Sequence, residues 1–308
     1  MPRAPVNRSG EMEMFVRIVE HGAFSAAARS LRMTPSALSK LVARLERRLG
    51  VRLVNRSTRG LGLTPEGAAF YERCVKVLAD IDEAERSAAT GAAPRGRVRI
   101  NANVPFGLNY LFPLLPEFLA QHPEITLDIA LTDEVIDLLE QRADLAIRVG
   151  PLRPSQLTVR KLGESPMRVV AAPDYLARCG TPRDLEELER HNRIGYCFAR
   201  MFDAWPFRTP GGASATLPVV GNAQVSDGES LGRLALAGVG IARLSLFLVA
   251  PHIRAGRLVP ILEDFNPGDT EEINVLFRGQ GGHLPSRVRA VIDFLAHTVP
   301  RRLDETIR

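Results

Sequence analysis

The stretch from Met33 to Arg59, MTPSALSKLVARLERRLGVRLVNRSTR, constrains this chain more than any other. Thr34 can cap a helix whose first position, Pro35, lacks an N–H that has no intrahelical partner there in any case. Gly50 supplies a left-handed residue that ends it. On a 3.6-residue period Leu38, Leu41, Val42, Leu45 and Leu49 form one apolar stripe, so the helix lies on a core. The opposite face carries Ser36, Lys40, Ala43 and Arg47, with Ser39 and Arg44 on its flanks. With no acid and no large apolar group, that face can approach a polyanion closely. It predicts a helix that reads the major groove of duplex DNA.

The flanking segments complete a motif. Phe24-Ser-Ala-Ala-Ala-Arg-Ser-Leu31 reads as a short Ala-rich helix, and Arg32-Met-Thr34 as a tight turn into the next, giving a helix-turn-helix. Met12, Phe15, Val16 and Val19 recur at helical spacing and predict a first helix closing a small core. Val51–Asn55 and Gly60–Thr64 read as two short strands flanking Arg56-Ser-Thr-Arg59, a basic turn suited to the phosphate backbone or minor groove. The candidate DNA contacts are therefore Ser25, Thr34, Pro35, Ser36, Ser39, Lys40, Arg44, Arg47, Arg56 and Arg59. Charge follows the same pattern. Through Gly62 the chain holds twelve Lys and Arg against four acids, so this segment is +8 while the whole chain is +5. The basic excess is confined to the segment with the DNA-binding pattern.

From Thr64, a second cap-and-proline start opens a helix expected to run from Pro65 to Thr90, roughly 39 Å at about 1.5 Å per residue. Phe70, Cys74, Val77, Ile81, Ala84 and Ala88 recur at alternating spacings of four and three, the seam of a coiled coil. A rod of this length with little sequence to pack on predicts a homodimer. An amphipathic helix packed on its own domain is the alternative. Gly91-Ala-Ala-Pro-Arg-Gly96 is the best domain boundary. Domains are expected at 1–64 (winged helix-turn-helix), 65–91 (linker helix) and 92–308. No signal-peptide pattern or 18-residue apolar run occurs, which argues against a membrane and for a cytoplasmic protein. Cys74, Cys179 and Cys197 lack metal spacing and read as reduced thiols; no cofactor or metal is expected.

Beyond the boundary, strands and helices alternate. Strands are expected at 98–100, 125–131, 144–149, 157–162, 167–172, 219–225, 240–244, 258–262 and 272–277. Helices are expected at 111–119, 134–141, 227–237 and 286–299. The pattern predicts an α/β architecture with helices covering mainly parallel strands. In such folds ligands bind where strands end and helices begin. Those positions are Asn103, Pro105, Phe106, Thr132, Arg148, Phe202, Ser226 and Asp227. Phe106 and Phe202 offer apolar walls, Asn103, Thr132 and Ser226 hydrogen bonds, and Arg148 a charge for an anion. Each has an equally good structural role as cap, core or solvated charge. A small carboxylate or aromatic effector fits the set.

Residues 11–90 resemble the winged helix-turn-helix and linker helix of the LysR-type transcriptional regulators. The likeness runs through Phe15, Phe24-Ser-Ala-Ala-Ala28, Leu31 and Thr34-Pro-Ser-Ala-Leu-Ser39, then Leu45-Glu46, Leu49-Gly50, Leu53, Asn55-Arg56 and Leu63-Thr-Pro-Glu-Gly67. Many members carry Gln where Pro35 stands, which shifts base contact to Ser36, Ser39, Lys40 and Arg44. Gly96-Arg-Val-Arg-Ile100, Leu114-Leu-Pro-Glu-Phe-Leu119, Asp144–Gly150 and Gly238–Leu244 resemble the family's effector-binding region, a two-lobed periplasmic-binding-protein-like fold. The resemblance implies lobes at about 96–166 with 270–308, and 167–269. Ser245 stands where relatives often have Pro. It also implies a small effector between the lobes, dimers joined by the linker helix, tetramers of two dimers, an inverted-repeat operator about one DNA turn (~34 Å) across half-sites, and contact with RNA polymerase. An α/β enzyme with an accessory DNA-binding domain is the alternative from a different class. No nucleophile-elbow, zinc or phosphate-loop pattern supports it, and Gly279-Gln-Gly-Gly282 lacks the P-loop Lys.

Overall fold

The computed structural model describes residues 7–57, 60–88, 93–133, 143–152, 154–197, 204–209, 211–279 and 284–307, with side chains except at 56–57, 60, 79–80 and 82–88. The chain divides into two units, Met1–Ala92 and Ala93–Arg308.

In the first unit, α1 (Arg8–Glu20), α2 (Phe24–Ser30) and α3 (Pro35–Leu49) precede β1 (Val54–Ser57), β2 (Gly60–Leu63) and α4 (Pro65–Ala88). Phe15, Ile18, Ala27, Leu38, Val42 and Leu45 are fully buried together, the core that the apolar stripes require. The wing strands pair antiparallel from Val54↔Leu63 to Ser57↔Gly60. Arg56 therefore lies on β1 rather than in the turn; its side chain, like Arg59, is outside the described residues. Glu46 sets the start of β1, its Oε1 accepting from the amides of Leu53 (2.8 Å) and Val54 (3.1 Å).

The second unit runs β3 (Gly96–Ala102), α5 (Val104–Phe106), a π-helical turn (Gly107–Leu111), α6 (Phe112–Gln121), β4 (Ile125–Leu131), β5 (Leu145–Val149) and β6 (Thr158–Ala171). It continues through α7 (Pro173–Cys179), α8 (Leu185–Glu189), β7 (Gly195–Tyr196), β8 (Ala204–Arg208), β9 (Ser214–Pro218), β10 (Gln224–Val225) and α9 (Gly228–Leu236). It closes with β11 (Ala242–Ser245), α10 (Leu246–Arg254), β12 (Val259–Pro260), β13 (Thr270–Phe277) and α11 (Ser286–Ile307). The expected helix at 134–141 lies outside the described residues.

The main sheet is ordered β11-β6-β13-β5-β3-β4, with β12 also on β6. Only β4-β3-β5 is parallel; β13 pairs antiparallel with both β5 and β6, and β11 and β12 antiparallel with β6. The sheet is mixed rather than mainly parallel. The two strands expected at 157–162 and 167–172 are one, β6, whose first half pairs with β13 and whose end pairs with β11 and β12. The strand expected at 219–225 falls instead on either side of an irregular stretch, as β9 and β10. One core lies around Val98, Ile100, Phe118, Ile147 and Val291. A second lies around Tyr175, Leu188, Trp205, Phe207 and Ile241. β6 runs through both halves and so fixes where the cleft between them opens.

Candidate nucleic-acid interface and effector cleft

Helix α3 is set from its ends. Thr34 Oγ1 accepts from the Ala37 amide at 3.2 Å, Pro35 takes the first helical position, and Gly50 closes the helix at φ 75°. Leu38, Val42 and Leu45 are fully buried, while Ser36, Lys40, Arg44 and Arg47 are exposed and Ser39 half-exposed. Ser25 is also exposed, one residue into α2. The sequence did not reveal Glu11. It is 5 % exposed, with Oε1 accepting from Arg44 Nε at 3.1 Å and Oε2 from Arg48 Nε at 3.1 Å. This pairing joins α1 to the cationic edge of α3. Arg44 nonetheless remains 67 % exposed.

The expected seam on α4 is divided. Cys74 is fully buried and Phe70 packs on Phe15 at 5.4 Å between ring centroids, so both belong to the core of their own unit. Neither stands free on the seam within this chain. The reason is that α1 covers the first turns of α4, satisfying that apolar face within the chain. Val77 is exposed and Ile81 half-exposed; the Ala84 side chain is outside the described residues. Burial pushes the Cys74 thiol up to about 11.

In the second unit a cleft is lined by Asn103, Pro105, Asp133 and Val149 from one side and by Tyr196, Gly228, Ser245, Phe247 and Leu248 from the other. Asp133 holds it together. Its Oδ1 accepts from Asn103 Nδ2 and the Val104 amide, both at 2.8 Å, and its Oδ2 from the Gly228 amide at 3.3 Å, at the start of α9. Asn109 Nδ2 reaches Glu229 Oε2 across the same gap at 3.1 Å. The space left is about 20 Å³, room for one water molecule. Ser245 is buried against this cleft, and its Oγ has no hydrogen-bond partner among the described residues.

Of the expected effector residues, Asn103 and Pro105 line the cleft. Phe106 does not: it is fully buried and stacked on Tyr110 at 5.7 Å, because the turn at Asn103 aims it into the core. Asp227 caps α9, accepting from the Ser230 amide and hydroxyl, each at 2.7 Å, and Ser226 beside it is exposed. Arg148 gives a hydrogen bond to the Ile147 carbonyl, and among the described residues its buried Nη2 has no partner. Burial lowers its affinity for the proton, and the Asp133 carboxylate acts in the opposite direction. Thr132 is half-buried, outside the cleft lining, and Phe202 lies outside the described residues. Asp133 and Ser245 also line the cleft and were not among the expected residues. The strand-end rule that selected Thr132 reaches Asp133 one residue later.

Among the described residues no helix is long and apolar enough to cross a membrane. The family model of the bacterial regulatory helix-turn-helix protein, lysR family, matches residues 10–68, and that of the LysR substrate binding domain matches residues 91–300. The chain is 37 % identical to the HTH-type transcriptional regulator CrgA of Neisseria meningitidis over 96 % of its own length and 98 % of that protein. It is 33 % identical to the HTH-type transcriptional activator AaeR of Escherichia coli, over 94 % and 93 % of the two lengths. The solved CrgA structure superposes with a TM-score of 0.63 at 36 % identity, covering 96 % of this chain and 99 % of that one. The full-length Vibrio cholerae virulence activator AphB gives 0.59 at 26 % identity, covering 94 % and 99 %. With a DNA-binding helix-turn-helix unit followed by an effector-binding unit, this chain belongs to the LysR family of transcriptional regulators.

Proposed function

We propose that this regulator binds an inverted-repeat operator as a homodimer, in the cytoplasm, and that a small effector entering the cleft alters that binding. Ser36, Ser39, Lys40 and Arg44 read base edges and adjacent phosphates, while Ser25, Thr34, Arg47, Arg56 and Arg59 contact the backbone. The observation that carries this reading is the division of α3: Leu38, Val42 and Leu45 fully buried, Ser36, Lys40, Arg44 and Arg47 exposed on the other side. Dimerisation uses the part of α4 beyond Cys74, where Val77 is exposed. A tetramer needs a second self-complementary surface, and the exposed Leu108, Phe112 and Leu119 along the helix before β4 supply an apolar one. The effector is expected against Asn103, Pro105, Asp133, Tyr196 and Ser245.

Footprinting on the DNA upstream of its own gene, at two salt concentrations, tests the reading. The expected result is a protected inverted repeat whose affinity falls steeply with salt. Equal binding to random duplex at low salt would overturn it. Lys40→Ala is expected to weaken operator binding and relax sequence preference, whereas Arg47→Ala weakens all DNA alike and lowers the salt slope by about 0.9.

A further inference from the structure

We propose that Glu11, in the first helix, is a positioning residue for DNA reading: it holds Arg44 and Arg48 together as a pair of phosphate-binding forks. This rests on the DNA-reading face proposed above and adds Arg48 to it. An acid beneath a DNA-binding surface weakens attraction to a polyanion unless it organises the cations above it. Glu11 has the geometry of an organiser. Its carboxylate is 5 % exposed and divides its oxygens, Oε1 to Arg44 Nε at 3.1 Å and Oε2 to Arg48 Nε and Nη2 at 3.1 and 3.0 Å. Arg44 and Arg48 stand one turn apart on α3, where two free guanidiniums would repel each other. One carboxylate between them removes that repulsion and fixes both long side chains from their inner edges.

The outer edges remain available. A guanidinium carries five N–H donors in a rigid fork. Glu11 engages one on Arg44 and the Nε and one terminal nitrogen on Arg48, leaving the rest for phosphate oxygens. Arg44 is 67 % exposed and Arg48 28 %, so Arg44 reaches outward and Arg48 sits closer to the core. Both are thereby set before DNA arrives.

The test compares Glu11→Gln with the full-length wild type on the footprinted operator duplex and a random duplex of equal length. Gln keeps the volume but cannot charge-pair both arginines. The expected result is an operator affinity about 10-fold lower, random-duplex affinity unchanged or higher, and an operator salt slope shallower by about 1 to 2. A merely electrostatic Glu11 gives the opposite, tighter binding to both duplexes and a slope unchanged or steeper, and would overturn the proposal. Should Glu11→Gln fail to fold, Arg44→Lys/Arg48→Lys takes its place, keeping both charges without the forks. That variant is expected to show the same loss of preference, and a wild-type preference in it would equally overturn the proposal. A wild type with no operator preference would instead sink the DNA-reading face itself.

Discussion

Gly67, in the first turn of α4, has no room for even a methyl group: a Cβ there would stand 1.9 Å from the Leu53 carbonyl oxygen. The neighbour is backbone, held by the Thr64 amide at 3.1 Å, so it cannot move aside. Gly67→Ala is expected to destabilise the DNA-binding unit by about 3 kcal/mol, read by thermal unfolding. Cys74 gives a second test at this scale. With its thiol held at about 11 and its side chain fully buried, it is about one part in a thousand thiolate at pH 8. Thiol titration of the native protein is expected to find two reactive groups, Cys179 and Cys197, and a third only in denaturant. Three reactive thiols in the native state would return Cys74 to an open seam. Local chemistry was legible in the sequence: the caps at Thr34 and Thr64 each reach an amide three residues on. Pairings such as Glu11 with Arg48, 37 residues apart, leave no local trace. Phe106 was misread for another reason, since a strand's end gives a residue's place but not its direction.

At the scale of elements, α4 and β6 show what periodicity can and cannot say. The heptad of α4 is real, but a period specifies an apolar face and not what covers it. Its first turns are covered by α1, while on the same face Val77 is exposed and Ile81 half-exposed. Phe70→Ala is therefore expected to cost about 3 kcal/mol of folding stability. Val77→Lys should leave stability within about 0.5 kcal/mol and dissociate the dimer, as measured by sedimentation. A dimer that survives Val77→Lys would place its interface elsewhere. Between the strands expected at 157–162 and 167–172 stands Gly163-Glu-Ser-Pro166, which carries breaker residues. The strand continues because its partner accommodates them. β13 takes up a register shift at Ile273/Asn274, and Gly163 leaves room for the end of the Leu303 side chain. The antiparallel insertion of β13 between β5 and β6 was likewise invisible, since hydrophobic alternation reports burial and not strand direction.

At the scale of the whole molecule, regulation requires that the effector unit have two states with different consequences for DNA. In the proposed reading the closed cleft is the first of them. With about 20 Å³ of space it holds nothing the size of a metabolite, so an effector entering there must separate its sides. Among the described residues, the hydrogen bonds across it include the Gly228 amide to Asp133 and Asn109 to Glu229. Both have a carboxylate acceptor, a kind worth about 1.5–3 kcal/mol, and the one at the start of α9 belongs to the carboxylate that also holds Asn103 and the Val104 amide. Asp133→Ala removes it without adding a ligand, and so imitates opening. The expected outcome is faster amide exchange at Val104 and Gly228, with β3 remaining protected. If cleft opening is what the DNA-binding unit responds to, operator affinity also shifts by about 5-fold or more in the absence of any effector, in line with coupling energies of 1–3 kcal/mol. Faster exchange with unchanged operator affinity would separate the two events. The signal would then have to leave the effector unit by a route other than the closure that Asp133 holds.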